Sequence, residues 1–387
     1  LAADFTRRET LALSAGSALL AGATSVVARN KREMRSMAGM ESYIAVALQL
    51  MPQAVTGAPD RAAAREIMRT SIARIAGQIQ ASRIFIQQYT GSALKLVVLP
   101  EYFLTSYPAR DTIPGWADKA ALAPDGPEYE ALGKIAENQD IYLAGNAYET
   151  DRHFPGLYFQ TSFIVAPSGK VVLRYRRLNS MFAPTPHDVW QKYLDVYGLE
   201  GVFPVAKTEI GKLAAIASEE ILYPEIARCH ALRGAEVFVH CSSEIGSPTA
   251  THKQIARRAR AFENLAYVVS ANTAGIAGTS LPTASADGNS AVIDYKGAVL
   301  AESNSGETFT AFGELDLHAL RRARRKPGMT NYLSRQRLEL FADTYAKLSV
   351  HPANGLIESG EIKIPDRDYF VRTQEKIIER LDKAGVI

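Results

Sequence analysis

The sequence predicts an α/β fold, a mixed sheet covered by helices, and three observations predict it. Short apolar runs of strand length alternate with amphipathic stretches of helix length from residue 43 onward. Two pairs of those runs are joined by hairpin turn signals. No repeat, low-complexity linker or composition break interrupts them between 43 and about 325, which favours one domain, 41–325, of a length that a single α/β domain often reaches.

The elements follow in order. Tyr43 to Leu50 (YIAVALQL) reads as a buried strand. Asp60 to Phe85 reads as a helix, capped by Asp60 after Pro59, with Met68, Ile72, Ile75 and Ile79 at helical spacing. Leu94 to Leu99 is a second strand, stopped by Pro100. Gly126-Pro127 opens a helix carrying Leu132, Ile135 and Ala136, and Ile141 to Gly145 is the next strand. Tyr158 to Val165 and Lys170 to Tyr175 flank the turn signal Ser168-Gly169. The alternation then resumes as strand 213–217, helix 224–233, strand 236–240, helix 251–265 and strand 266–271. A second hairpin, 290–295 and 298–302, turns at Lys296-Gly297. Residues 326–387 read as a C-terminal extension.

The first forty residues have a different character. They hold the basic residues Arg7, Arg8, Arg29, Lys31, Arg32 and Arg35 around an uncharged stretch, Leu11 to Ala28, rich in Ala, Ser and Gly. A basic pair, a weakly apolar segment and small residues at 21–23 or 26–28 form the layout of an export signal. Thr6-Arg7-Arg8-Glu9-Thr10-Leu11 is similar to the twin-arginine type. Residues 1–40 are therefore expected to direct the protein to the periplasm or outside the cell. The alternative is a disordered or helical extension on a cytoplasmic protein. The run is too rich in Gly and Ser for a membrane span, so no membrane association is expected after the signal is removed.

Composition excludes several classes. The chain has 44 Lys+Arg against 41 Asp+Glu, a net charge of +3 over 387 residues, which is no footprint for nucleic acid. The basic run Arg321 to Lys326 reads as a solvated face or a dipole-matched helix end. Cys229 and Cys241 are too few for a disulfide framework or a four-cysteine zinc site. His240 and Cys241, adjacent on a strand, face opposite ways, so no metal is expected there. Dinucleotide, P-loop and Gly-x-Ser-x-Gly signatures are absent from the sequence.

Three strand ends hold polar residues that need a partner or a task. Leu96 to Glu101 (LVVLPE) places a carboxylate past a buried strand. Val171 to Arg177 (VVLRYRR) runs into cations. Leu213 to Arg228 (LAAIASEEILYPEIAR) reaches Ser218, turns, and enters a helix near Pro224. A nucleophile at such a turn is exposed beside backbone N–H groups, and α/β active sites gather at the carboxyl ends of strands.

These segments resemble the carbon–nitrogen hydrolase (nitrilase) superfamily over roughly 43–345. Pro100-Glu101 matches the family's Pro-Glu. Tyr175-Arg176-Arg177 stands where the family has Tyr-Arg-Lys. Tyr223-Pro224-Glu225-Ile226-Ala227-Arg228 matches its aromatic-Pro-Glu-x-x-Arg segment, with Ser218 at the position of the family's Cys. Further matches are Arg233-Gly234-Ala235-Glu236, Arg258 to Asn264, Asn272, Gly275 and Gly288-Asn289-Ser290. The resemblance implies an αββα sandwich, no cofactor and a homodimer, which the extension 326–387 is placed to brace. It also implies hydrolysis of a non-peptide C–N bond in a small amide or nitrile-like substrate through a covalent acyl-enzyme.

By the same resemblance Glu101 is the general base and acid, Arg177 the cation over the oxyanion, and Ser218 the nucleophile or its stand-in. Asp188 is the nearest match to a second acidic residue of the family. Tyr102, Asp188 and Glu219 are expected to contact substrate, and Tyr102, Phe103, Tyr107, Trp116, Phe182 and Trp190 form either an apolar pocket wall or, equally, loop anchors or dimer contacts. A hydroxyl is a weaker nucleophile than a thiol, and Arg is not a neutral replacement for Lys. The chain is thus an engineered Cys-to-Ser variant, a natural enzyme with a Glu–Arg–Ser site, or a ligand-binding relative that lost catalysis.

Overall fold

Continuous burial along the central strands dictates a layered fold. The computed structural model describes residues 42–387; the export segment expected over 1–40 lies outside the described residues. The first sheet contains β1 (Tyr43–Ala47), β2 (Leu94–Val98), β3 (Tyr142–Thr150), β4 (Tyr158–Val165) and β5 (Val171–Arg176). The second contains β6 (Ala206–Thr208), β7 (Gly211–Ala217), β8 (Val237–Cys241), β9 (Tyr267–Ala271), β10 (Ala291–Ile293) and β11 (Val299–Glu302). A last strand, β12 (Phe312–Leu315), returns to the first sheet. The orders are β12-β1-β2-β3-β4-β5 and β11-β10-β9-β8-β7-β6. Both expected hairpins form, β4–β5 and β10–β11, and the turn residues Gly169 and Gly297 take the left-handed φ of 76° and 83° that glycine tolerates.

The sheets pack face to face, β4 and β5 against β7 and β1 against β9 and β10. Their central strands are buried on both faces, which is why they read as continuous apolar runs. Helices cover the outer faces. On the first sheet lie α1 (Arg61–Thr90) and, after the short α2 (Ile113–Lys119), α3 (Pro127–Gln139). Met68, Ile72, Ile75 and Ile79 of α1 join Val46, Val97 and Leu143 in one core. Asp60 caps α1 as expected, its carboxylate accepting from Ala63 N at 2.9 Å.

After α4 (Trp190–Tyr197), α5 (Pro224–Leu232) and α6 (His252–Asn264) cover the second sheet. Their Ala227, Ala231, Ala256 and Ala261 pack on Ala214, Ile216, Phe238 and Val268. The result is the expected αββα sandwich. Among the described residues no helix is long and apolar enough to cross a membrane.

The chain ends in α7 (Leu317–Arg325), α8 (Tyr332–Arg335), α9 (Glu339–Lys347), the small hairpin β13 (Ile357–Glu358) and β14 (Glu361–Ile362), and α10 (Tyr369–Lys383). In the basic run, Arg321 pairs with Glu236 at 2.6 Å and Arg324 donates to the carbonyl of Ala235 at 2.6 Å. Those two cations are therefore spent on knitting α7 to the second sheet. Leu356 and Phe370 reach the core of the first sheet.

One close approach sets the helix-to-sheet distance. Gly133 in α3 lies over the β4–β5 turn, where an added Cβ would meet the Gly169 carbonyl oxygen at 2.6 Å. Alanine improves helix propensity by about 1 kcal/mol, whereas overpacking against backbone costs about 1–3 kcal/mol. Gly133→Ala is thus expected to lower stability by about 1 kcal/mol in denaturant unfolding; a gain in stability would refute the close contact.

Candidate active site

Strand order brings the polar strand ends of both sheets to one cavity of about 500 Å³. Glu101 follows β2, Arg177 follows β5, Ser218 follows β7, and Ser243 and Glu244 follow β8; all five line it. These are carboxyl ends of strands, where backbone direction changes and side chains can converge.

Glu101 is buried, and its Oε1 accepts from Gln160 Nε2 at 2.5 Å and from Arg177 Nη1 at 3.4 Å. Among the described residues no hydrogen bond goes to its Oε2. Gln160 bridges the pair, its Oε1 accepting from Arg177 Nη1 at 2.7 Å. Arg177 also donates Nε–H to Asn179 O at 2.6 Å and Nη2–H to Glu219. Burial pulls its pKa down, but the carboxylates of Glu101, Glu219 and Glu220 outweigh that and raise it. The guanidinium is a permanent charge with four of its five N–H donors engaged.

Ser218 opens a 3-10 turn, Ser218–Leu222, with φ of 50°. A non-glycine residue there is strained, and the surroundings hold it. The buried His240 contacts the Ser218 carbonyl through Nε2 at 2.8 Å and Ser270 Oγ through Nδ1 at 2.8 Å. A carbonyl only accepts, so Nε2 carries the proton and Nδ1 accepts from the Ser270 hydroxyl. Burial pushes the His240 pKa down to about 3, which keeps this neutral tautomer. Ser218 Oγ accepts from Lys253 Nζ at 3.2 Å.

The expected substrate contacts divide. Tyr102 and Glu219 line the cavity, as do Tyr107 and Phe182. Asp188 does not: its carboxylate accepts from Thr185 N and Oγ, both at 2.8 Å, in a capping box. It lines a neighbouring cavity of about 500 Å³ with His187, Trp190 and His351. Phe103 and Trp116 belong to the core instead. Cys229 and Cys241 are free thiols off the wall of the first cavity; burial raises both, and Glu101 adds to the effect on Cys241. Among the described residues no cluster of His, Cys, Asp and Glu could hold a metal ion.

Sequence reading missed Gln160, Glu220, Lys253 and Arg367. Gln160 sits mid-strand and Lys253 begins a helix, where nothing local marks them. Glu220, two residues beyond Ser218, is fully buried and accepts from Leu178 N at 2.7 Å, Asn179 N at 2.9 Å and Tyr175 Oη at 2.7 Å. Arg367 reaches the cavity wall from the C-terminal segment, donating to Asp111 O at 2.7 Å, Tyr158 Oη at 3.1 Å and Phe182 O at 2.8 Å.

A family model described as carbon-nitrogen hydrolase matches residues 57–325. A probable nitrilase of Schizosaccharomyces pombe is 24% identical over 180 residues, 46% of this chain and 61% of that protein. The match therefore spans less than two thirds of that relative's length. Omega-amidase NIT2 of Homo sapiens is 24% identical over 242 residues, 62% of this chain and 84% of that protein. The solved carbon-nitrogen hydrolase of Helicobacter pylori G27 superposes with a TM-score of 0.57 at 20% identity, covering 79% of this chain and 98% of its own. That last likeness is one of fold.

Two buried groups give this region a pH signature of opposite signs. His240 has its pKa lowered to about 3, so its contribution is full above its ordinary pKa and is lost as pH falls. Burial raises Glu220 to about 7 against the pull of Arg177 and three donors, so its contribution is full below its ordinary pKa and is lost as pH rises toward 7. Between pH 4.5 and 6.5 the two oppose each other. Glu220→Gln removes one arm, and thermal melts are expected to lose stability on acidification more steeply than the parent, by about 1.4 kcal/mol per pH unit. Parallel curves would show that Glu220 is ionised throughout.

Proposed function

The chain belongs to the carbon–nitrogen hydrolase family, and from that premise we propose that it hydrolyses the C–N bond of a small amide through an ester on Ser218. One observation carries the reading: Glu101, Arg177 and Ser218, residues far apart in sequence, share one cavity wall. Ser218 Oγ attacks the amide carbon while its proton passes to the free Oε2 of Glu101. The carbonyl electron pair moves onto oxygen, which the Arg177 charge stabilises. Glu101 returns the proton to the leaving nitrogen as the C–N bond breaks. Water, deprotonated by Glu101, then cleaves the ester, and Ser218 is reprotonated. Tyr102 and Glu219 contact substrate in this proposal, whereas Asp188, held in its capping box, braces the wall from behind.

A second reading, a ligand-binding relative without turnover, draws support from Arg177. Four of its five N–H donors have protein partners, so only one N–H of Nη2 remains for an oxyanion. Ser218→Cys decides between the two. A thiolate forms far more readily than an alkoxide, so kcat against a panel of small amides is expected to rise by orders of magnitude, with KM changing only a few-fold. Ser218→Ala is expected to abolish turnover and the acyl adduct seen by mass spectrometry. Turnover that survives Ser218→Ala would place the chemistry elsewhere.

The proposal extends to assembly and location. Exposed apolar side chains on and beside α5, α6 and α8, among them Leu222, Tyr223, Leu232, Ile255 and Tyr332, support a homodimer. Helix α9 contains no buried residue and exposes Leu340, Phe341 and Tyr345, which supports residues 326–387 as a brace across that dimer. Residues 1–40 act as an export signal, leading to a periplasmic or secreted protein. Sedimentation is expected to give a dimer mass that Phe341→Glu lowers; a concentration-independent monomer would refute the assembly.

A further inference from the structure

Lys253 donates a hydrogen bond to the hydroxyl of the proposed nucleophile, and none of the three catalytic roles uses it. It enters from the second residue of α6, whose start is fixed by a Thr251–Gln254 capping box. Its side chain is 13% exposed. Its Nζ donates to Ser218 Oγ at 3.2 Å and to Ser243 O at 2.9 Å, and forms an ion pair with Glu244 Oε2 at 3.2 Å. An ammonium has three donors, and two of them are spent on these oxygens, one of them the Ser218 hydroxyl. A lysine needed only to neutralise Glu244 has no reason to meet a hydroxyl on the cavity wall as well. Arg177, the other deeply placed cation, spends its fork on Glu101, Gln160, Asn179 and Glu219 and makes no hydrogen bond to Ser218.

We infer that Lys253 is a catalytic residue, an ammonium that holds Ser218 Oγ and stabilises the negative charge it develops during attack. The inference rests on Ser218 being the nucleophile. A hydroxyl needs this help more than a thiol does. A donor fixed before reaction costs no reorganisation at the moment of reaction. Lys253 keeps all its protons through the cycle. The Ser218 proton passes to Glu101, the Oγ–C bond forms as the carbonyl pair moves to oxygen, and Glu101 protonates the departing nitrogen. In the return step water gives its proton to Glu101, its oxygen bonds carbon, and Oγ leaves with the electron pair beside Lys253 before Glu101 reprotonates it. The two cations thus divide the work, Lys253 at the attacking oxygen and Arg177 at the carbonyl oxygen.

Acylation of the full chain by p-nitrophenyl acetate tests this, with nitrophenolate release giving the rate, peptide mass spectrometry locating the acetyl group, and Ser218→Ala giving the background. Lys253→Met is expected to slow acylation of Ser218 by about 100-fold, the scale of losing one preorganised donor. Lys253→Gln keeps a donor without the charge and serves the same purpose if the Met variant lacks a native circular dichroism spectrum. Added methylammonium is expected to restore part of the rate in either variant, which a merely structural role would not allow. An unchanged rate, or a loss that methylammonium leaves untouched, overturns the role of Lys253 while Ser218 remains the nucleophile. Absence of an acetyl group on Ser218 in the unaltered chain overturns the reading of Ser218 itself, and Lys253 with it.

Discussion

The site depends on the buried carboxylate of Glu220. It sits in the turn after β7 of one sheet and accepts hydrogen bonds from the backbone of Leu178 and Asn179, just past β5 of the other. Tyr175, also from β5, donates a third. One side chain therefore ties the segment bearing Arg177 to the turn bearing Ser218. Burial opposes the charge, while Arg177 and the three donors favour it.

Around that tie the cavity is a set of paired charges. Arg177 joins Glu101 and Glu219, and Lys253 joins Glu244. Pairing makes it feasible to keep so many ionised groups out of bulk water. It also fixes geometry, since Gln160 holds Glu101 and Arg177 in one register through a bond to each. The strained Ser218 backbone fits the same logic. Its φ of 50° is tolerated because His240 and the turn over-determine it.

The C-terminal segment contributes more than length. Leu356 and Phe370 extend the core of the first sheet, and Leu356 N donates to Asp188 O at 2.9 Å. Arg367 then crosses to the cavity, joining the loop at Asp111 to the one at Phe182. Asp188, fixed by Thr185, is a buttress for this packing, which explains why a carboxylate near the site does not face it.

Local pattern alone determined most of the fold. Met68, Ile72, Ile75 and Ile79 recur at 3.6-residue spacing because one face of α1 must be buried. Gly169 and Gly297 mark turns because few other residues adopt their φ. The strand-end positions Glu101, Arg177 and Ser218 were equally legible, since a polar residue closing an apolar run has to be accounted for. Tertiary structure decided the rest. Gln160 lies within a strand that reads as core, Lys253 looks like any first-turn lysine, and Arg367 lies more than a hundred residues beyond Ser218. Their distances to Glu101, Ser218 and Tyr158 are set by how two sheets and a C-terminal segment pack, and no spacing along the chain encodes that. Asp188 shows the converse: its sequence neighbourhood pointed to the site, but the capping bond to Thr185 turned its carboxylate away.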